Sequence, residues 1–224
     1  MRGSGWPWRR RAWAVQAWPI LDAVQATRGS ALSRKITVIL GHPDAASYCG
    51  ALADAYVESA RQAGHEVRLF RLGDAAFDPV LHHGYRQIQP LEPGLVEVQQ
   101  AITWAEHLVF VFPMWWGGLP ALLKGFFDRV FLPGFAFKYR TGSQLWDKLL
   151  AGRTARAFVT MDTPLWYYTL FYWRPLHLQF RRAIMGFCGI TPTRIKVFAP
   201  VRYADDAKRS RWLDEVRRVG ARGA

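Results

Sequence analysis

From Lys35 onward, short apolar runs alternate with longer stretches of helical periodicity. His107 to Phe112 (HLVFVF) is apolar without alternation, which suits a strand buried on both faces of a parallel sheet. Ile36 to Leu40 (ITVIL), His65 to Leu72, Ala155 to Met161 and Arg194 to Phe198 read as four further strands. Between them the pattern predicts helices over Cys49 to Ala63, with Gly64 as a C-terminal stop, and over Leu95 to Glu106. Others are expected from Pro120, over Pro175 to Phe187 and over Asp205 to Val219. Pro79 to Gly94 holds Pro, Gly and paired His without a period and reads as a loop. Strands alternating with helices predict an α/β fold, a doubly wound open parallel sheet of five strands with helices on both faces. Ligands of such sheets gather outside the carboxyl ends of the strands, where strand order reverses.

Three loops are expected on that edge. The first, Gly41 to Tyr48, leads into a helix whose N-cap is Ser47, and free backbone N–H groups at such an end attract phosphate. It is neither a Walker loop nor a dinucleotide GxGxxG motif, and a plain capped turn fits its spacing equally well. The second runs from Pro113, expected to stop the ladder, through Met114, Trp115, Trp116, Gly117 and Gly118 to Pro120. It offers flat side chains beside backbone that a ligand can approach closely, and in isolation it reads equally well as a hydrophobic plug. The third is Met161, Asp162 and Thr163, followed by Pro164 and the aromatic run Trp166 to Trp173.

Composition narrows the field. At 224 residues, 50 % hydrophobic and 21 % charged, the chain suits one folded domain with a tail. No apolar window is long enough for a membrane span, so a soluble, cytoplasmic protein is expected. Cys49 and Cys188 lie far apart without ligand spacing, so neither a disulfide scaffold nor a metal site is expected. The net charge of +13 suggests nucleic acid until its distribution is considered: Met1 to Lys35 carries seven basic residues against one Asp. Residues 1–34, with Trp6, Trp8, Trp13 and Trp18 among the arginines, read as a disordered basic extension, and 35–224 as the folded domain. Gln16, Pro19 and Asp22 interrupt the apolar stretch that an exported leader would need. No nucleic-acid partner is expected.

The residues resemble a family, the flavodoxin-fold NAD(P)H:quinone oxidoreductases, over about 35 to 200. The resemblance rests on Gly41-His42-Pro43 with Ser47, on FPMWWGGLPALLKGFFDRVF from Phe112 with Gly134 to Phe137 beyond it, and on Gly186-Phe187-Cys188-Gly189. It implies a flavodoxin-like fold, bound FAD or FMN, and ping-pong hydride transfer from NADPH or NADH to a quinone or similar electrophile, usually by a homodimer. By the same resemblance His42, Ser47, Tyr48 and Cys49 hold the flavin phosphate and ribityl chain. Pro113, Met114, Trp115, Trp116 and Gly117 line the ring, with Met161, Asp162 and Thr163 near its opposite part. Trp116, Phe137, Tyr139 and Phe187 form the substrate wall, and Tyr168 and His177 are the catalytic pair that steadies charge on the reduced flavin. The flavin performs the hydride transfer, so conspicuous catalytic acids are not required. Some relatives act instead as flavin-binding regulatory subunits docked on potassium-efflux transporters, and the exposed-looking run Trp166 to Trp173 leaves that alternative, with its peripheral membrane contact, open.

Overall fold

The computed structural model describes residues 33–224. Its parallel sheet comprises β1 (Lys35–Leu40), β2 (Glu66–Arg71), β3 (His107–Pro113), β6 (Thr154–Thr160) and β7 (Thr193–Phe198), in the order β2-β1-β3-β6-β7. β3 is buried at every position. Its alternate residues feed two cores: Leu108, Phe110 and Phe112 face one, Val109 and Val111 the other. Helices α1 (Tyr48–Gln62) and α6 (Asp206–Gly220) cover the second core. Helices α2 (Pro93–Trp104) and α3 (Ala121–Val130) cover the first.

The expected five-stranded sheet is present, with additions. A hairpin of β4 (Phe137–Tyr139) and β5 (Trp146–Lys148) stands apart from it. A short helix α4 (Leu165–Leu170) occupies the aromatic run. The helix expected over Pro175 to Phe187 is one short turn, α5 (Pro175–His177), continued by a π-helix over Leu178–Gly186. The wider π turn brings positions five apart towards one face, and Phe180 and Met185 are its buried pair. Pro113 does not stop the ladder but is its last residue, opposite Thr160. Pairing with β1 has already ended at Val111, so the missing Pro N–H deprives no neighbour, and the Met114 N–H donates to the Thr160 carbonyl at 2.7 Å.

The irregular stretch before α2 is held by α3. Arg129 is 1 % exposed and its guanidinium donates to the carbonyls of Asp78 and Pro90 and to the Glu92 carboxylate, the last at 2.9 Å. One turn earlier Gly125 leaves room for Pro79, whose Cβ would stand 2.4 Å from an added Cβ. Burial pushes the Glu92 carboxyl up, but the Asp78 N–H and Arg129 outweigh it, and the net shift is downward. A depressed carboxylate stabilises the fold above its unfolded value of about 4.3 and loses that contribution as pH falls through the folded value. Urea midpoints measured from pH 6 to pH 3 are therefore expected to fall more steeply for the parent than for Glu92→Gln; parallel curves would contradict the assignment.

The basic extension expected over 1–34 lies outside the described residues except for its last two. The Ser33 hydroxyl donates to the Gly64 carbonyl and Arg34 Nη1 to the Gly223 carbonyl, both at 2.8 Å. Among the described residues no helix is long and apolar enough to cross a membrane.

Candidate functional site

The carboxyl ends of β1, β3, β6 and β7 open on a cavity of about 310 Å³, near the lower end of the roughly 300–1,000 Å³ usual for ligand pockets. His42, Ser47, Tyr48 and Cys49 line it from the first loop, Pro113, Met114 and Trp115 from the second, and Met161, Asp162 and Thr163 from the third. Thr160 and Val201 complete the wall.

In the first loop the Asp44 N–H donates to His42 Nδ1 at 2.9 Å, and the Asp44 carboxylate accepts from the Ala46 N–H at 2.8 Å. His42 Nδ1 is thus an acceptor, and the proton of the neutral ring sits on Nε2. Ser47 caps α1 by accepting from the Gly50 N–H at 3.2 Å. The N–H groups of Tyr48 and Cys49, the first two helical residues, have no carbonyl a turn earlier to bond and lie at the positive end of the helix dipole. Gly50 is required here, because an added Cβ would fall 1.9 Å from the Ala45 carbonyl oxygen.

Two of the lining side chains are committed elsewhere. The Tyr48 hydroxyl donates to the Arg209 carbonyl at 2.9 Å, and burial pushes it up to about 12 although Arg209 opposes the shift. Cys49 Sγ lies 3.1 Å from Thr160 Oγ1, and burial pushes the thiol up to about 11, against the lowering effect of that hydrogen bond. Both are protonated at neutral pH and give the cavity shape rather than acid–base chemistry. Asp162 accepts from the Arg202 N–H at 2.7 Å, tying the third loop to the segment after β7.

The second loop ends in a tight turn. Trp115 and Gly118 exchange N–H to carbonyl bonds of 3.2 and 3.0 Å around Trp116 and Gly117, whose φ angles are 53° and 76°. Two successive positive φ values belong to the mirror-image hairpin turn. This geometry carries Trp116 fully into solvent, so Trp116 and Gly117 do not line the cavity, contrary to the sequence expectation. Trp115 remains on the wall, edge-on to His42 with ring centroids 5.6 Å apart. Trp116→Gly is expected to stabilise the fold by about 1 kcal/mol by relieving a left-handed tryptophan, read as a higher melting temperature. An unchanged or lower value would show that the indole makes compensating contacts.

Phe137, Tyr139 and Phe187, expected as a substrate wall, are brought together, but around a second cavity of about 300 Å³ that shares no lining residue with the first. Phe187 stacks on Trp146 at 4.5 Å and meets Phe137 edge-on at 4.9 Å. Trp116 lines neither cavity. Tyr168 and His177 also meet, with hydroxyl and Nδ1 3.0 Å apart, yet Tyr168 is the buried residue of α4 and neither residue lines the first cavity. Burial raises Tyr168; burial, then Arg174 and Arg181, lowers His177, so both are neutral at physiological pH.

With this geometry, residues 34–219 match a protein family described as flavodoxin-like fold. The chain belongs to it. This flavodoxin-like chain is 28 % identical over 184 residues to an uncharacterized NAD(P)H oxidoreductase of Haemophilus influenzae, covering 79 % of the chain and 89 % of that protein. It is 32 % identical over 136 residues to NAD(P)H dehydrogenase [quinone] 1 of Cavia porcellus, covering 51 % of the chain but only 48 % of that enzyme. A solved structure from Streptococcus mutans superimposes with a TM-score of 0.70 at 26 % identity, covering 84 % of this chain and 99 % of the other.

The flavodoxin-like strand order also explains what the sequence reading missed. Thr160 is the last residue of β6, one place before the expected loop, and Val201 follows β7, whose outgoing segment reaches the same edge. Applying the strand-end rule to that fourth loop would have found Val201. Gly50 carries no signal beyond its place in a helix's first turn.

Proposed function

We propose that the chain is an NAD(P)H:quinone oxidoreductase that uses a bound flavin, FMN or FAD, in a ping-pong cycle. The observation that carries this reading is the meeting of the loops after β1, β3 and β6 on one cavity, with ten residues of the set that the family resemblance implies for flavin. The oxidoreductases of Haemophilus influenzae and Cavia porcellus described above support the same reading, whereas neither supports a transporter-docking subunit.

The donor set fits such a group. The free N–H groups of Tyr48 and Cys49 with His42 Nε2–H suit a terminal phosphate, Trp115 offers a flat surface, and Pro113, Met114 and Met161 give an apolar wall that excludes water. When bound, the flavin supplies hydride acceptance from the nicotinamide and hydride donation to the acceptor. The protein's part is to hold, orient and desolvate. The neutral Tyr168–His177 pair is assigned a positioning role, tying α4 to α5, because it lies off the cavity. We also read the exposed apolar side chains of α4 and its C-terminal flank, Trp166, Leu170, Phe171 and Trp173, as the face covered in a homodimer. The two buried, free cysteines suit a reducing compartment such as the cytoplasm.

Purified protein is expected to be yellow, with a flavin band bleached by NADPH and restored by a quinone, and with parallel double-reciprocal plots. A colourless protein that takes up neither FMN nor FAD would overturn the flavin reading, and intersecting plots the ping-pong cycle. Mass spectrometry of the released cofactor distinguishes FMN from FAD.

A further inference from the structure

At the end of the sheet opposite the candidate active site, a cavity of about 200 Å³ is lined by Arg34, His107, Thr154, Arg156 and Arg194, with Ala224 at its side. Strand register accounts for the convergence. Arg156 of β6 is paired with Val109 of β3 and Arg194 of β7, and Thr154 with His107, so these side chains emerge on the face covered by α1 and α6. Arg34, two residues before Ile36, shares that face.

No Asp or Glu side chain lines the cavity, and among the described residues Arg156 and Arg194 are in no ion pair. Glu215, which approaches Arg156, is engaged by Lys196 at 2.5 Å. Like charges directly opposite on neighbouring strands repel, and a half-buried guanidinium without a partner is costly. Four polar atoms at this end of the sheet are buried without a hydrogen-bond partner: His65 Nε2, His107 Nε2, Arg156 Nε and the Tyr56 hydroxyl. His107 is 3 % exposed, with Nδ1 2.6 Å from the Thr154 hydroxyl. In the tautomer in which that hydroxyl donates to Nδ1, the ring proton sits on Nε2, and Nε2–H and Arg156 Nε–H are both donors without an acceptor. Burial, then Arg34, Arg156 and Arg194, pushes His107 down to about 3, so the ring stays neutral at physiological pH.

We propose that this cavity binds a small tetrahedral oxyanion of the phosphate type, free or as a monoester. Such a ligand carries acceptors, brings negative charge to a cavity that no Asp or Glu side chain lines, and matches the guanidinium fork. The site is independent of the flavin reading: it lies at the other end of the strands from the α1 N-terminus.

The test uses the full chain as purified, titrated with inorganic phosphate and with glycerol 3-phosphate at constant ionic strength, by calorimetry and by the imidazole resonances of His107. Saturable binding that shifts the His107 signals is expected, weakened at least tenfold in Arg194→Gln, whose side chain is exposed enough for the variant to fold, and unchanged in Ser47→Ala at the flavin-phosphate loop. A tenfold preference for glycerol 3-phosphate identifies a monoester ligand; equal or weaker binding identifies free phosphate. The proposal is overturned by the absence of saturable binding, by equal affinity in Arg194→Gln, or by binding lost only in Ser47→Ala.

Discussion

Arg129→Ala is expected to cost about 3–5 kcal/mol of folding stability, because it removes one partner of a buried ion pair and orphans several acceptors at once. The guanidinium is almost wholly enclosed and serves the carbonyls of Asp78 and Pro90 together with the Glu92 carboxylate. Lysine should not rescue it, since a single ammonium cannot reproduce a planar fork that reaches three separate groups. The measurement is the urea midpoint of Arg129→Ala and Arg129→Lys beside Glu92→Gln. A loss below 1 kcal/mol in the alanine variant would show that water replaces the guanidinium and that the 78–92 segment is held by other contacts.

Gly50→Ala is expected to weaken FMN binding at least tenfold and to lower stability by about 1–3 kcal/mol, an overpacking cost. A Cβ at this position would overlap the Ala45 carbonyl oxygen, so the 41–47 loop must lift off the start of α1. That movement separates His42 and the Ser47 cap from the free N–H groups of Tyr48 and Cys49, dismantling the proposed phosphate contact without touching the cavity's apolar wall. Fluorescence titration of the apoprotein with FMN and with riboflavin reads the effect. FMN should lose affinity while riboflavin, which has no phosphate, changes little. Equal losses for both would place the damage at the ring and sink the phosphate assignment.

The sheet was legible where burial leaves a strong compositional mark. β3 is enclosed on both faces, so nearly every position is apolar and the run is readable without context. The three converging loops followed from strand order and not from any motif, since parallel strands place their carboxyl ends on one edge whatever the loops contain. The β4–β5 hairpin was illegible because three-residue strands are too short for alternation to accumulate. The π-helical stretch was read as α because burial at Phe180 and Met185 marks only one turn of it. Trp116 was misplaced for a local reason: an aromatic in a glycine-rich loop looks like a ligand surface, and only the positive φ angles of the turn reveal that it points to solvent. Phe137, Tyr139 and Phe187 lie together but on a different cavity from the three loops, a long-range relation that spacing along the chain does not encode.

The pairing of α1 with α6 has a consequence for biosynthesis. Gly220 lets the last helix approach so closely that an added Cβ would stand 2.6 Å from the Tyr56 carbonyl, and Tyr48 hydrogen-bonds the backbone at Arg209. The side of α1 at Tyr56 and Ser59 is thus covered by a segment translated long after it. At about 5–20 residues per second, translation from the end of α1 to the start of α6 takes roughly 7 to 30 s. During that interval Tyr48, Tyr56 and Ser59 have no α6 beside them, so the nascent chain leaves this seam uncovered until α6 has been made.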